Sequence, residues 1–424
     1  MNVIIWPSKA EGEVTAPPSK SYTHRAIIIA SLAKGTSTIS NALAAEDIDH
    51  TINACRSFGS EIKRKGDKLF IKGTGGNLTI KEKNIFIGNS GTTIRLMVSV
   101  AALADGEVVF DGTERMRERP VKDLLDALNQ LGVKAESLKN NGCPPVRISS
   151  HGLKGGDVSI SGNVSSQYIS SLLIASPYAK EDTTINIIGN LKSKPYIDIT
   201  IDMMKKFGVK VEENNKQFFI PHNQHYSAIN YDVEGDFSSA SYFFAAAAVC
   251  GSTVSVKNLN KNSVQGDKIF LDLLERMGCR VSYNEKITVF GSKKLKPLDV
   301  DMGNYPDIVQ TLAAVAAYAD GTTKIRNIEH LKYKETDRIN APANELRKMN
   351  IPVEVGNYLK ITGGKLKGAE IESYNDHRMV MSFSVAALGA EGKTVIKGAE
   401  CVEKSFPNFF DEFKKLGVKM KLEG

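Results

Sequence analysis

The segment Gly251-Ser-Thr-Val-Ser255 joins a turn-forming glycine to β-branched residues, which is typical of a turn followed by a β-strand. The same pattern occurs six times in the 424 residues, at successive spacings of 71, 76, 69, 70 and 71 residues. The six copies begin at Gly35, Gly106, Asp182, Gly251, Gly321 and Gly392. Because a fixed period indicates an internal repeat, the chain is predicted to contain six units of about 70 residues.

A second series of residues runs in step with the first and predicts where a helix ends. In each unit an apolar residue precedes a glycine or an asparagine, which tolerate the left-handed conformation found after a helix C-terminus. These positions are Gly59, Gly132, Gly208, Gly278, Asn350 and Gly417. Each unit is therefore predicted to run helix, turn, strand, second helix and hairpin, an α/β unit with antiparallel strands rather than a Rossmann winding.

The first helix of each unit is predicted to begin at small polar residues, whose side chains satisfy the free amides of the first turn. The predicted caps lie around Ser19, Ser90, Ser165, Asp236, Asp307 and Asp376. Apolar runs follow these caps, so we expect the helices to be buried. Helix N-termini carry free amides and a positive dipole end, and they are suited to binding phosphate or carboxylate.

Six units divide naturally into two groups of three. No Pro/Ser-rich linker marks a boundary, so the crossovers are predicted to be short, at residues 14–18 and 231–235. The resulting domains are residues 1–17 with 234–424, which form a discontinuous domain, and residues 18–233, which form an inserted domain.

The composition is that of a soluble globular protein, with 42% hydrophobic and 24% charged residues. The longest apolar runs are too short to cross a bilayer, and no leader pattern follows Met1, so the cytoplasm is the expected location. The five cysteines lack metal-binding spacing and are expected to be reduced thiols.

The net charge of +7 favours an anionic partner, which could be nucleic acid, a membrane surface or a small phosphorylated substrate.

Several arginines lie within one helical turn of the predicted caps and next to apolar residues. They are Arg25, Arg95, Arg338 and Arg378. Arginine binds carboxylate and phosphate through two parallel hydrogen bonds, so these side chains are candidates for anion binding. His222 and His225 have no third ligand nearby in the sequence, and no metal site is predicted there.

Nine motifs, which span nearly the whole chain, together resemble the 5-enolpyruvylshikimate-3-phosphate synthase family. They are Pro18-Ser-Lys-Ser-Tyr-Thr-His-Arg25, Gly88-Asn-Ser-Gly-Thr-Thr-Ile-Arg95, Arg115-Met-Arg-Glu-Arg-Pro120, Ser165-Ser-Gln167, Ser193-Lys-Pro-Tyr196, Glu234-Gly-Asp-Phe-Ser-Ser-Ala240, Lys334-Glu-Thr-Asp-Arg338, Asn375-Asp-His-Arg378 and Lys404-Ser-Phe-Pro407. The resemblance implies an inside-out α/β barrel fold, with two domains of three repeats each and an active site in the cleft between them.

The resemblance also implies a reaction. The enolpyruvyl group of phosphoenolpyruvate would pass to the 5-hydroxyl of shikimate 3-phosphate by addition and elimination through a tetrahedral intermediate, with release of phosphate. This step belongs to the shikimate pathway, which leads to chorismate and the aromatic amino acids. No metal or organic cofactor is expected, and the chain would act as a monomer. Glyphosate would inhibit it, because Gly91 leaves the phosphoenolpyruvate pocket open.

Binding and catalytic roles are implied for residues within these motifs. Contacts with shikimate 3-phosphate are implied for Lys20, Ser21, Arg25, Ser165, Ser166, Gln167, Ser193, Asp307 and Lys334. Contacts with phosphoenolpyruvate are implied for Lys20, Asn89, Gly91, Arg119, Gln167, Arg338, Arg378 and Lys404. The implied catalytic residues are Asp307, Glu335, Lys20, Lys334 and His377. Of these, Asp307 would act at the attacking hydroxyl and Glu335 at the methylene carbon.

Two alternatives remain at this point. The related enzyme that transfers enolpyruvyl to UDP-N-acetylglucosamine usually carries a reactive cysteine in its arginine-bearing loop, and residues 114–120 contain none. A nucleic-acid-binding or RNA-end-processing protein could share the repeat, but that function gives the paired carboxylates Asp307 and Glu335 no task. His330 stands where many members of the family carry Asn or Arg, and its role is left open.

Overall fold

The computed structural model describes all 424 residues, which form twelve α-helices and twenty-four β-strands. The helices are α1 (Lys20–Leu32), α2 (Glu46–Ser57), α3 (Gly91–Ala101), α4 (Lys122–Gln130), α5 (Ser166–Ala175), α6 (Lys194–Lys206), α7 (Phe237–Cys250), α8 (Ile269–Arg276), α9 (Val309–Ala316), α10 (Asn340–Lys348), α11 (His377–Ala386) and α12 (Phe409–Lys415). The strands are β1 (Asn2–Ile5), β2 (Gly12–Thr15), β3 (Thr36–Ser40), β4 (Glu61–Lys65), β5 (Lys68–Lys72), β6 (Asn84–Phe86), β7 (Asp105–Asp111), β8 (Lys134–Ser137), β9 (Val146–His151), β10 (Gly156–Ser161), β11 (Thr183–Ile188), β12 (Glu212–Asn214), β13 (Gln217–Ile220), β14 (Asn230–Asp232), β15 (Thr253–Lys257), β16 (Arg280–Tyr283), β17 (Ile287–Phe290), β18 (Asp299–Asp301), β19 (Thr322–Arg326), β20 (Val353–Val355), β21 (Tyr358–Thr362), β22 (Glu370–Glu372), β23 (Thr394–Lys397) and β24 (Met420–Glu423).

The strands form six four-stranded mixed sheets, one for each repeat of the sequence. Their strand orders are β14-β3-β5-β4, β6-β7-β9-β8, β10-β11-β13-β12, β2-β15-β17-β16, β18-β19-β21-β20 and β22-β23-β1-β24. In the second sheet, β6 pairs in parallel with β7, β7 pairs antiparallel with β9, and β8 forms the outer strand of the hairpin. Four of the other five sheets repeat this pattern, and in the sixth the N-terminal strand β1 takes the place of the inner hairpin strand between β23 and β24. The prediction of six α/β units is confirmed, but the hairpin predicted for the last unit is wrong.

Each repeat contains one strand more than the sequence predicted. The opening strands β2, β6, β10, β14, β18 and β22 each pair in parallel with the strand that follows the first helix. The expectation of antiparallel strands therefore holds for the hairpins and is wrong for these pairs. The opening strands escape prediction because most are short and polar, such as Glu370-Ile-Glu372, and lack a β-branched run.

The chain divides into two compact units, each with its own hydrophobic core. Unit 1 comprises Met1–Pro18 and Glu234–Gly424, and unit 2 comprises Ser19–Val233. In unit 1, β2 pairs with β15, and β1 completes the sheet of β22 and β23 beside β24. In unit 2, β14 pairs with β3. Strands distant in sequence thus complete sheets in both units.

The first helices of the repeats lie in the interior of their units. In unit 1, α7, α9 and α11 pack against one another, and in unit 2, α3 packs against α1 and α5. Residues around the whole circumference of these helices are buried, as their apolar runs predict. None of the twelve helices combines the length and apolarity that a membrane-spanning helix needs.

Five of the six predicted N-caps form a hydrogen bond to an amide of the first turn. The capping side chains are those of Ser19, Ser90, Ser165, Asp236 and Asp376. The sixth prediction is wrong, because α9 begins after Ile308 and has no side-chain cap. The carboxylate of Asp307 is held instead by two arginines. The six predicted helix ends all have positive φ, including Asn350 with φ of 68°.

Candidate functional site

A cluster of carboxylates and arginines forms in unit 1 where the last turns before α9, α10 and α11 meet. The Arg338 side chain is 1% exposed, and its Nε and Nη2 donate to the two carboxylate oxygens of Asp376 at 2.7 and 3.1 Å. Its Nη1 donates to Asp307 Oδ1 at 3.1 Å, and Nη2 also lies 2.7 Å from Glu335 Oε2. One buried guanidinium thus contacts three carboxylates.

Arg378 is the second guanidinium of this cluster. Its Nη2 lies 3.0 Å from Asp307 Oδ2, and its Nη1 donates to the backbone oxygen of Asp307 at 2.9 Å. Nη1 also lies 3.3 Å from the hydroxyl of Tyr242 on α7. Asp376 holds the backbone of this segment, because its Oδ1 accepts from the amide of Arg378 at 2.9 Å and caps α11.

The electrostatics of the cluster follow from burial and from this pairing. Burial opposes ionisation of Asp307, but the adjacent guanidinium groups of Arg378 and Arg338 outweigh it and hold the pKa of Asp307 well below its usual range. Burial likewise disfavours the charged form of Arg338, but Asp376 and Glu335 outweigh it and raise the pKa of Arg338. Asp307 and Arg338 are therefore both ionised at neutral pH.

The other predicted residues of unit 1 lie in or near the same segments. The positive charge of Lys334 lies close enough to lower the pKa of Asp307, after the larger effects of burial and the two arginines. His377 is buried at the start of α11, with Nδ1 3.7 Å from Asp376 Oδ1. Lys404 is buried at the end of a 3-10 helix, Ala399–Lys404. The structure thus brings Asp307, Glu335, Arg338 and Arg378 into direct contact.

A different arrangement of polar groups forms in unit 2 around Arg25, which is 1% exposed on α1. Its guanidinium donates to four neutral oxygens, which are Thr200 Oγ1 at 2.6 Å, Ser21 O at 3.0 Å, Tyr196 O at 3.0 Å and Ser170 Oγ at 3.4 Å. Burial lowers the pKa of Arg25 to about 10, and the side chain stays charged at neutral pH. Nearby, Lys20 Nζ lies 3.2 Å from Asp47 Oδ2.

The loop before α3 holds Arg119 against Asn89 and Gly91. Arg119 is 2% exposed, and its Nη1 donates to Asn89 O at 2.9 Å and to Asn89 Oδ1 at 3.1 Å. A Cβ atom added to Gly91 would lie 2.3 Å from Arg119 Nη2. The glycine is therefore required for the approach of Arg119.

The start of α5 supplies the remaining predicted residues of unit 2. Ser165 caps the helix and Ser166 is buried beside it. Gln167 Oε1 accepts from Arg95 Nη1 at 2.9 Å, and Gln167 Nε2 donates to Thr92 Oγ1 at 2.9 Å. Ser193 lies at the start of α6 with a left-handed φ of 57°.

Some residues of these clusters were not predicted as site residues. Asp376 was predicted only as a helix cap, although it binds Arg338 through both oxygens. Asp267 is 4% exposed, its Oδ2 accepts from Ser238 Oγ, and burial together with the charge of Asp307 raises its pKa to about 7. Neither residue has a distinctive spacing, and only the folded chain brings them to Arg338 and Asp307.

Comparison with known proteins identifies a family for the whole chain. The family model of EPSP synthase (3-phosphoshikimate 1-carboxyvinyltransferase) matches residues 6–413. A 3-phosphoshikimate 1-carboxyvinyltransferase of Methanocella arvoryzae is 49% identical over 416 residues, which cover 97% of each chain. One of Methanosarcina mazei is 46% identical over 429 residues, with 99% of each chain covered.

A solved structure extends the comparison to the fold. EPSP synthase from Acinetobacter baumannii superposes with a TM-score of 0.84 at 28% identity, and the match covers 100% of both chains. The fold class predicted from the repeats and the resemblance is thereby confirmed.

Proposed function

Because the chain belongs to the EPSP synthase family and has 3-phosphoshikimate 1-carboxyvinyltransferase activity in the shikimate pathway, we propose that its two anion-binding clusters divide the substrates between them. Unit 2 supplies most contacts to shikimate 3-phosphate. Unit 1 binds the carboxylate of phosphoenolpyruvate and supplies the acid and base groups. The observation that carries this proposal is the contact of Arg338 and Arg378 with Asp307, at 3.1 and 3.0 Å.

Shikimate 3-phosphate binds at the starts of helices in unit 2. Its phosphate accepts hydrogen bonds from Ser165, Ser166 and Ser193, and Gln167 contacts the ring. The charge of Arg25 is well suited to this site because its four neutral partners orient the guanidinium without neutralising it. Lys20 and Ser21 complete the contacts of α1, and Lys334 and Asp307 contact the substrate from unit 1.

The carboxylate of phosphoenolpyruvate binds Arg338 and Arg378. It takes over guanidinium hydrogen bonds that Asp307 now accepts, and it adds a negative charge beside Asp307. Both effects raise the pKa of Asp307 from its lowered value, because the guanidinium charges that favoured its ionised form are shared with the substrate. Substrate binding thus makes Asp307 a stronger base.

The reaction needs a base at one end of the new bond and an acid at the other. Asp307 removes the proton of the 5-hydroxyl, whose oxygen bonds to C2 of phosphoenolpyruvate, while Glu335 protonates the methylene carbon. The tetrahedral intermediate then collapses as Glu335 takes a proton back from the methyl group and the C2–O bond to phosphate breaks. Lys334 and His377 adjoin these groups and assist the proton transfers.

The departing phosphate takes both electrons of its bond to C2, and cations stabilise the resulting charge. Lys20, Arg119 and Lys404 fill this role, while Asn89 and Gly91 contribute backbone contacts. The chemistry uses only protein groups and the two substrates.

All the residues assigned to the reaction come from one chain, and we expect a cytoplasmic monomer whose partners are these two small molecules rather than nucleic acid or a membrane. Light scattering after size exclusion should give the mass of one chain. A dimer mass would overturn this assignment.

The experiment that tests the division of substrates compares Arg25→Ala with Arg378→Ala in steady-state phosphate release. Arg378→Ala should raise KM for phosphoenolpyruvate by more than about 30-fold, because a buried charge pair is broken. Arg25→Ala should raise KM for shikimate 3-phosphate by a similar factor. KM for shikimate 3-phosphate in Arg378→Ala, and KM for phosphoenolpyruvate in Arg25→Ala, should change by less than about threefold. Equal rises in both constants would contradict the division.

Substrate identity is controlled in the same assay. Phosphate should be released from phosphoenolpyruvate with shikimate 3-phosphate, but not with UDP-N-acetylglucosamine or without an acceptor. Release only with the UDP-sugar would overturn the assignment of the acceptor.

A further inference from the structure

A buried carboxylate on α10 links the two arginine-bearing segments of unit 1. Glu345 is fully buried, and its Oε1 accepts from the hydroxyl of Tyr374 at 2.7 Å. Its Oε2 accepts from the amide of Glu372 at 3.1 Å and from Lys348 Nζ at 2.7 Å. Three donors from two segments thus converge on one side chain.

The first of these segments is α10 itself, which begins two residues after Arg338. The second is residues 372–375, which lead directly into Asp376, His377 and Arg378. Glu345 therefore ties the helix that follows one motif to the turn that precedes the other.

The turn before Asp376 has an unusual backbone. Tyr374 and Asn375 both have φ of 53°, in the left-handed region that a bulky residue such as tyrosine rarely adopts. Strained backbone persists where surrounding contacts hold it, and at Tyr374 the hydroxyl is held by Glu345. The amide of Asp376 also donates to Ser373 O at 3.0 Å, which closes the turn.

The consequence of this turn is the placement of Asp376. Its carboxylate must reach the amide of Arg378 at 2.9 Å and the guanidinium of Arg338 at 2.7 and 3.1 Å in the same conformation. A relaxed turn would move Asp376 and thereby both arginines.

We propose that Glu345 is a positioning residue for phosphoenolpyruvate binding, which acts through Tyr374 and the left-handed turn to fix Asp376, Arg338 and Arg378. The inference rests on the proposed function, in which these two arginines bind the substrate carboxylate. Glu345 itself touches neither substrate in this assignment.

The test replaces Tyr374 by phenylalanine, which removes one hydroxyl and leaves the ring. Tyr374→Phe should raise KM for phosphoenolpyruvate by about fivefold, a typical loss for one hydrogen bond, with KM for shikimate 3-phosphate and kcat within about twofold. Tyr358→Phe is the matched control, because Tyr358 also donates to a glutamate, Glu354, but at an exposed hairpin. The control should leave both constants unchanged.

Glu345→Gln and the double variant Glu345→Gln/Tyr374→Phe show whether the two residues act as one. The effects on KM for phosphoenolpyruvate should be strongly non-additive, because both substitutions weaken the same contact: glutamine removes the charge of the acceptor and phenylalanine removes the donor. Additive effects would overturn the proposal, as would a Tyr374→Phe variant that unfolds at lower denaturant yet keeps the parent KM.

The Arg378→Ala variant separates this inference from the proposed function. If Arg378→Ala raises KM for phosphoenolpyruvate and Tyr374→Phe does not, the positioning role of Glu345 is wrong and the substrate assignment stands. If Tyr374→Phe raises KM for phosphoenolpyruvate and Arg378→Ala does not, both the positioning role of Glu345 and the substrate assignment are wrong. Glu345 would then act through other residues.

Discussion

The buried arginines of the two units are held by opposite kinds of partner. Arg338 in unit 1 contacts the carboxylates of Asp307, Glu335 and Asp376, whereas Arg25 in unit 2 contacts four neutral oxygens. Burial lowers the pKa of Arg25 to about 10, but the carboxylates outweigh burial at Arg338 and raise its pKa.

The difference indicates two ways to bind an anion. The charge of Arg25 is not balanced by these partners, so under the proposed function it attracts the substrate phosphate while it keeps these four hydrogen bonds. The charges of Arg338 and Arg378 are already paired with carboxylates, and an anion must replace part of that pairing. Under the proposed function, this replacement changes the environment of Asp307 and Glu335 when the substrate binds. A cluster of paired charges is therefore suited to acid and base chemistry, and a single unbalanced charge is suited to binding.

The largest expected effect comes from neutralising the carboxylates of unit 1. Asp307→Asn and Glu335→Gln should each lower kcat by more than about 100-fold, because each removes a proton donor or acceptor. KM for shikimate 3-phosphate should remain close to the parent value, because asparagine keeps an oxygen at the position of the Asp307 contact and Arg25 and its partners are unchanged. Steady-state phosphate release measures both constants.

The matched control for these variants is Asp301→Asn, an exposed carboxylate at the end of β18 in the same unit. It should retain the parent kcat. Near-normal turnover in Asp307→Asn or Glu335→Gln would remove that residue from its role and would break the contrast between the two units.

A smaller effect is expected from Gly91→Ala in unit 2. An added Cβ would lie 2.3 Å from Arg119 Nη2 and must displace the guanidinium, whereas φ at Gly91 is not positive and alanine fits the backbone. KM for phosphoenolpyruvate should rise about tenfold, as for a weakened charge-assisted contact. Inhibition by glyphosate should weaken as well.

Gly364→Ala controls for the addition of a methyl group, because its nearest neighbour would lie at 3.7 Å. Kinetics and inhibition should match the parent in this variant. Unchanged constants in Gly91→Ala would contradict the placement of Arg119 in phosphoenolpyruvate binding.

Periodic features of the chain could be predicted from sequence, whereas contacts between distant segments could not. Turn residues and β-branched runs mark all six repeats, and the family motifs point to Arg338, Arg378 and Arg25 as candidate site residues, which the structure shows to be buried. The parallel opening strands were missed because pairing partners, not local propensity, make them strands. Asp307 looked like a helix cap because Asp is a common capping residue, but Arg338, just before α10, and Arg378, in α11, compete for its carboxylate.

Asp267 gives the most specific prediction, because it extends the carboxylate cluster of unit 1 beyond the residues that contact arginine. Burial and the charge of Asp307 raise its pKa to about 7, so it holds a proton in the folded chain at pH values where the unfolded chain has released it. Stability from this group is therefore greatest below the ordinary aspartate pKa and is lost as pH rises through about 7. Asp267→Asn removes this dependence and keeps an acceptor for Ser238.

The stability of Asp267→Asn relative to the parent should accordingly increase between about pH 4 and pH 7, by up to about 1.4 kcal/mol per pH unit, and then level off. The single tryptophan, Trp6, lies in unit 1, and its fluorescence during denaturant unfolding reports on that unit alone. Asp272→Asn, at an exposed carboxylate on α8, is the matched control and should give a constant difference from the parent. A constant difference for Asp267→Asn as well would show that neither burial nor the negative charge of Asp307 raises the pKa of Asp267, and it would confine the coupled charges of unit 1 to Asp307, Glu335, Asp376 and their two arginines.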